Sequence, residues 1–133
     1  MNPARGYSLI ELMVVVALIA IIIGIGYPSY LSYMQKTRRS DGIAALNHAA
    51  MVMESCRSDL ATYEGCEARI AAQSEKGYYT IAPSAITAST YTLTATAVGV
   101  QAKDGKCTKL TLNAQGTRGY TGSAPDVATC WGS

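Results

Sequence analysis

The chain has 133 residues and a net charge of +2 at pH 7, which suits one modest domain and is too weak a charge to imply a nucleic-acid partner by itself. Its apolar fraction of 49% does not describe a large core. Residues 12–25 hold no charged or strongly polar side chain, and everything after residue 33 is mixed and polar.

The chain opens Met-Asn-Pro-Ala-Arg-Gly, then Tyr7-Ser8-Leu9-Ile10-Glu11-Leu12. An apolar run continues to Tyr27, making 21 residues from Tyr7, the length of a membrane-spanning helix. A secretory signal peptide fits poorly, because its small-residue cleavage site would follow the run, and here the run ends in Gly26-Tyr27-Pro28. Glu11 is the anomaly. A carboxylate inside an apolar helix costs about 2.5–3.5 kcal/mol near the bilayer centre, less at the edge. Glu11 either snorkels to the interface or pairs with a cation from another molecule. A cut after Gly6 would create such a cation, the free amine of Tyr7.

These residues carry a specific resemblance. Gly6-Tyr7-Ser8-Leu9-Ile10-Glu11-Leu12 followed by an apolar run resembles the class III signal of type IV pilins and pseudopilins. The resemblance implies a prepilin peptidase that cuts between Gly6 and Tyr7 and methylates Tyr7. It also implies that Glu11 pairs with the N-terminus of a neighbouring subunit during assembly. Tyr7 departs from the commoner Phe, and the leader has one basic residue, Arg5. Flanking charges point the other way: Lys36, Arg38 and Arg39 outnumber Arg5, which by the positive-inside rule would put the C-terminal side in the cytoplasm. The cysteines argue the reverse.

Between residues 30 and 60 the only strong breaker is Gly42, and Leu46, Ala49, Met53, Cys56 and Leu60 recur at helical spacing. The pattern predicts one helix over about residues 8–59, roughly 75 Å long, with its membrane-spanning part over about 8–28. Gly24, Gly26 and Pro28 are weak points where a kink or local melting is expected. The chain then divides into a leader (1–6), a long helix (7–59) and a globular head (60–133).

In the head, residues 78–82 read as a short strand, and Thr90-Tyr91-Thr92-Leu93-Thr94-Ala95-Thr96-Ala97 alternates with period two. Its Tyr91, Leu93, Ala95 and Ala97 face should lie on the helix. Lys103-Asp104-Gly105-Lys106 supplies a turn, residues 107–113 a partner strand, and residues 117–120 a last short one. The expected fold class is α+β: a long N-terminal helix, transmembrane in its first half, packed on a small antiparallel sheet. Cys56, Cys66, Cys107 and Cys130 all lie in this polar part. An even count in a small exported domain reads as two disulfides. Of three possible pairings we favour Cys56–Cys66 and Cys107–Cys130, because each closes a local loop. Close pairs of the zinc type are missing, so no metal is expected.

The strand at 91–96, Cys107 leading Leu110-Thr111-Leu112, a Gly-rich turn and the closing Cys130-Trp131 are similar to the PilE-like minor-pilin branch. The resemblance covers nearly the whole chain; it is strongest at 6–30, good at 90–131 and poor at 57–89. It implies a type IV pilin fold and an exposed, variable surface over 119–129.

His48 is the single histidine and sits mid-helix among alanines, so it reads as a solvent-facing or satisfied side chain. No nucleophile-base set, paired carboxylates or phosphate loop is present. No enzyme activity and no cofactor are expected. The resemblance implies a structural subunit of a type IV pilus, its partners being other pilin subunits, the prepilin peptidase and the inner membrane. The head would be periplasmic before assembly and extracellular in the pilus, serving assembly, twitching motility, adhesion or DNA uptake. A second reading is a DNA-binding receptor pilin for natural transformation, resting on Lys103, Lys106, Lys109 and Arg118 near one hairpin. A third is a type II secretion pseudopilin, disfavoured because the C-terminal region carries only Asp126 where that class uses an acidic calcium loop.

The role given to Glu11 has a direct consequence. Glu11→Ala should leave cleavage after Gly6 intact and sharply reduce incorporation into sheared filaments, read by immunoblot; normal incorporation would reduce the helix to an ordinary anchor.

Overall fold

The computed structural model describes residues 6–132; residues 1–5 of the expected leader, Arg5 included, lie outside them. Helix α1 runs over Leu9–Leu60. A short 3-10 helix (Cys66–Arg69) leads to β1 (Tyr79–Ser84) and β2 (Thr92–Ala97). A second 3-10 helix (Gly99–Lys103) precedes β3 (Lys109–Asn113), β4 (Arg118–Thr121) and a short helix α2 (Val127–Trp131). The four strands form one antiparallel meander in the order β1-β2-β3-β4.

The chain divides into two compact units, one up to Met34 and one from Gln35 onward, and α1 contributes to both. In the first unit, the helix exposes its apolar side chains on every face, Ile22 at 69% and Ile25 at 73% among them. Its mean hydropathy of 2.9 makes it long and apolar enough to cross a membrane. A helix apolar all round is stable only inside lipid or among other apolar helices. The helical backbone continues through Gly24, Gly26 and Pro28, where local melting was expected. Proline removes one backbone donor but leaves the flanking i→i−4 bonds to propagate the helix. Tyr7 precedes the first helical residue, Leu9, so helical spacing does not set its position relative to Glu11.

In the second unit the helix is one-sided. Arg39, Gly42, Leu46, Ala49, Met53 and Cys56 are buried, at alternating spacings of three and four that keep one face toward a partner. That partner is the inner face of the sheet, made by Tyr79 and Ile81 of β1, Leu93, Ala95 and Ala97 of β2, and Leu110 and Leu112 of β3. Register sets Ala95 opposite both Ile81 and Leu110, and Leu93 opposite Leu112, so small and large residues alternate across the layer. Period-two alternation turns Thr92, Thr94 and Thr96 outward. Leu46, Met53, Leu93 and Leu110 are fully buried, each worth about 1.5–3 kcal/mol relative to exposure. Gly42 is a close approach rather than a breaker: a Cβ there would sit 2.9 Å from the Tyr79 ring.

The helix end is tied to the sheet by aromatic packing. Tyr63 and Tyr91 meet edge to face with centroids 4.8 Å apart. Tyr63 Oη donates to Glu54 Oε1 at 2.7 Å, and Tyr91 Oη donates to the same oxygen at 3.3 Å. Arg57 donates to Tyr63 Oη at 3.0 Å and stacks 4.7 Å from its ring centre. The bond to Tyr63 holds the Arg57 guanidinium more firmly protonated than usual. Burial, then the Glu54 charge, push the Tyr91 phenol from 10.0 up to about 12.

That shift gives a pH dependence with a definite sign. Below pH 10 the folded and unfolded chains both hold the Tyr91 proton and the stabilisation is complete. Between 10 and about 12 only the unfolded chain ionises, so stability falls as pH rises. The urea-unfolding free energy should drop between pH 10 and about 12 with a slope of at most about 1.4 kcal/mol per pH unit from this group, and Tyr91→Phe should flatten it.

Candidate nucleic-acid interface

The lysine-bearing stretch runs from the second 3-10 helix into β3. Lys103, Lys106 and Lys109 are exposed, while Asp104 between them is fully buried. The chain therefore turns its acid inward and its bases outward. Asp104 meets Arg39 of α1: Arg39 Nε donates to Oδ2 at 2.6 Å and Nη2 donates to Oδ1 at 2.8 Å. This two-pronged geometry matches guanidinium to carboxylate. Gln101 Nε2 adds a third donor to Asp104 Oδ2 at 3.1 Å, and also donates to the Gln35 carbonyl and to Tyr79 Oη. Burial raises the Tyr79 phenol against the opposing Gln101 bond.

The remaining Arg39 nitrogen, Nη1, donates to the Thr129 carbonyl of α2 at 3.0 Å. The C-terminal segment is then laced to the turn from its other side. Ser123 N donates to the Gly105 carbonyl at 3.0 Å, and Ala124 N donates to the Lys106 carbonyl at 3.1 Å. Gly122 has φ +144°, and a Cβ there would lie 2.1 Å from the Lys106 carbonyl oxygen, so only glycine permits this approach. A disulfide joins Cys107 to Cys130. Asp126 caps α2, accepting from Thr129 N and Thr129 Oγ1 at 2.7 Å each, and those bonds lower its pKa. Its carboxylate is therefore engaged in a cap.

Arg118 does not join the lysines. It pairs with Leu112, whereas Lys109 pairs with Thr121. Three residues of strand, roughly 10 Å, separate the two ends. Alternation also places Lys109 and Arg118 on opposite faces of the sheet. Arg118 stacks 5.2 Å from the Trp131 ring centre, and Trp131 Nε1 donates to the Gly119 carbonyl at 2.8 Å. The expected exposed stretch at 119–129 is mostly exposed, but Ala124 is buried and α2 ends it with buried Cys130 and Trp131. At the other end of the chain, Gly6, Tyr7 and Glu11 are exposed.

Two buried residues of the site were legible only in part. Stepping back from Leu46 by four and seven lands on Gly42 and Arg39, so the apolar stripe itself pointed to Arg39 as inward-facing. Nothing in the sequence linked it to Asp104, 65 positions on. Asp41 is similar: its carboxylate accepts from Ser74 Oγ at 2.5 Å and Lys76 N at 3.1 Å, fixing the chain ahead of β1. A cavity of about 480 Å³ lies beside it, lined by Ala44, Ala45, His48, Ala71 and Glu75 among others. Four of its ten lining residues are alanines, and the Asp41 and Ser74 in its wall are already bonded to each other.

Comparison with known proteins adds independent findings. Residues 28–111 match the family described as type IV minor pilin ComP, DNA uptake sequence receptor. Residues 1–27 match the prokaryotic N-terminal methylation motif. The chain is 34% identical over 67 residues to the prepilin peptidase-dependent protein D of Escherichia coli (strain K12), covering 50% of this chain and 46% of that one. It is 39% identical over 67 residues to the type IV major alpha-pilin of Moraxella bovis, covering 49% and 38%. The matches thus span less than half the length of these relatives. Among solved structures, the Neisseria meningitidis non-core minor pilin PilV superposes with a TM-score of 0.61 at 23% identity, covering 72% of this chain and 95% of that one. That similarity shows the fold.

The second disulfide, Cys56–Cys66, closes a loop of separation 10, against 23 for Cys107–Cys130. Loop-closure entropy assigns each about 3 kcal/mol. Cys107→Ser/Cys130→Ser should lower the urea-unfolding free energy by roughly that amount and speed amide exchange over 119–131 more than within α1.

Proposed function

We propose that this chain, which belongs to the family of type IV minor pilins described as DNA uptake sequence receptors, is a filament subunit that carries a DNA-binding surface on its head. The N-terminal part serves assembly. Prepilin peptidase cuts between Gly6 and Tyr7 and methylates Tyr7, and Glu11 then receives the new amine of a neighbouring subunit. An apolar helix with a single acid suits this role, since van der Waals contact alone gives poor register and one desolvated ion pair fixes it. Before assembly the helix rests in the inner membrane with the head on the periplasmic side. The disulfides favour that oxidising side over the cytoplasm. After assembly the head is displayed on an extracellular pilus among other pilin subunits.

The DNA-binding surface is the lysine-bearing turn. One observation carries this reading: the family match over 28–111 includes Lys103, Lys106 and Lys109, and all three are exposed with the intervening acid buried. Lysines bind phosphates as point charges and release counterions on contact. The surface therefore supplies affinity, and sequence preference must come from groups that reach base edges.

Gel-shift of the soluble part (residues 31–133) with double-stranded DNA tests it. Binding should weaken steeply with salt. Lys106→Ala/Lys109→Ala should reduce the slope of log K against log salt by about 2, near 0.9 per phosphate contact. Arg118→Ala should leave the slope unchanged. Salt-insensitive or absent binding ends the DNA reading and leaves a pilin that serves the filament alone.

A further inference from the structure

We infer that Arg39 is a positioning residue for the DNA-facing turn: it holds the Asp104 carboxylate inside the head, so that Lys103 and Lys106 meet phosphate without an acid beside them. This rests on the DNA-receptor reading above.

Sequence order alone predicts a weakly effective basic turn. Lys103-Asp104-Gly105-Lys106 places a carboxylate between two ammonium groups, and in a flexible turn that carboxylate would neutralise one of them. The fold removes it. Asp104 has a fully buried side chain, and Arg39 is 7% exposed at the side chain. Each Asp104 oxygen accepts from a separate guanidinium nitrogen, and Gln101 Nε2 adds a third bond. The pair's charges cancel within the interior, where screening by solvent is weak. Outside, Lys103 and Lys106 remain.

The same guanidinium also ties the turn to α2. Arg39 binds the turn through Asp104 and binds α2 through the Thr129 carbonyl at 3.0 Å. The C-terminal segment holds the Gly105 and Lys106 carbonyls. Asp104 N donates to the Gln101 carbonyl at 2.9 Å, and Gln35 Nε2 contacts the Lys103 carbonyl at 3.4 Å. The turn is thus held from both sides by backbone contacts, which leaves the lysine side chains unengaged by the clamp. A lysine at position 39 would offer one point charge in place of the two-pronged fork and the extra donor to Thr129.

The test uses full-length protein in detergent micelles and a DNA duplex, with affinity measured across a salt series. Arg39→Gln is expected to weaken binding at least about tenfold at low salt and to make the salt slope shallower by about 1, because a released Asp104 cancels one lysine. The double variant Arg39→Gln/Asp104→Asn should return both quantities to near the wild-type values. This rescue separates charge control from simple loss of structure. An unchanged slope in Arg39→Gln overturns the inference. So does a double variant as weak as the single one, since that would be a general folding defect.

A second measurement stands apart from DNA. Amide exchange at Asp104 and Gly105 should be at least about tenfold faster in Arg39→Gln, while amides of residues 46–56 stay as protected as in wild type. Unchanged exchange overturns the clamp itself. If wild-type protein binds no DNA, the receptor reading falls, and faster exchange then still upholds the clamp while withdrawing its role toward phosphate.

Discussion

Helix α1 has to be soluble in two media, and that constraint shapes every other feature. Over its first part it is apolar on all faces, as lipid or a bundle of similar helices requires. From Arg39 onward it carries a buried stripe spaced three and four apart, flanked by partly buried Ile43, Ala45 and Ala50. The head exists because that stripe needs a cover. The sheet provides it, and glycine and alanine along the stripe let the sheet approach closely enough for Tyr79 to lie over Gly42.

A layer this small buries few large side chains, so polar locks supplement the packing. The Arg39–Asp104 pair, the Asp41–Ser74 bond and the Glu54–Tyr63–Tyr91 cluster each join α1 to a segment more than eight residues away. Buried ion pairs are weak contributors to net stability, because desolvation offsets most of the attraction. Their value is in selecting one arrangement: an apolar stripe tolerates sliding along a sheet, whereas a guanidinium fork finds a carboxylate at one register only. The two disulfides restrict the unfolded chain around the two loops that lack long secondary structure.

The charge pattern follows from the same locks. The acid inside the basic turn is neutralised in the interior, Asp104 by Arg39, while Asp41 is engaged by Ser74 and the chain before β1 and Asp126 by capping α2. A chain with a net charge of only +2 can in this way present a locally basic surface. Global charge is a poor guide when ion pairs are buried.

Much of this was legible in the residues. The apolar run and the residues that precede it announced the N-terminal methylation motif, and the alternation at 90–97 announced the central strand with its inner face. These signals are local: a helix or strand repeats its periodicity within a few residues, so a linear reading recovers it. Two expectations drawn from local rules gave way to context. Pro28 did not interrupt the helix, and Arg118 did not join the lysines, because strand alternation and register placed it at the other end and face of the sheet. What the sequence by itself determined was the α+β class, with a long N-terminal helix and a small antiparallel sheet, together with the family. Only the tertiary structure decided that Arg39 reaches Asp104 across 65 positions and so turns an acid inward and leaves lysines outside. Pair formation between distant charges depends on which surfaces the core brings together, and no periodicity along the chain records that.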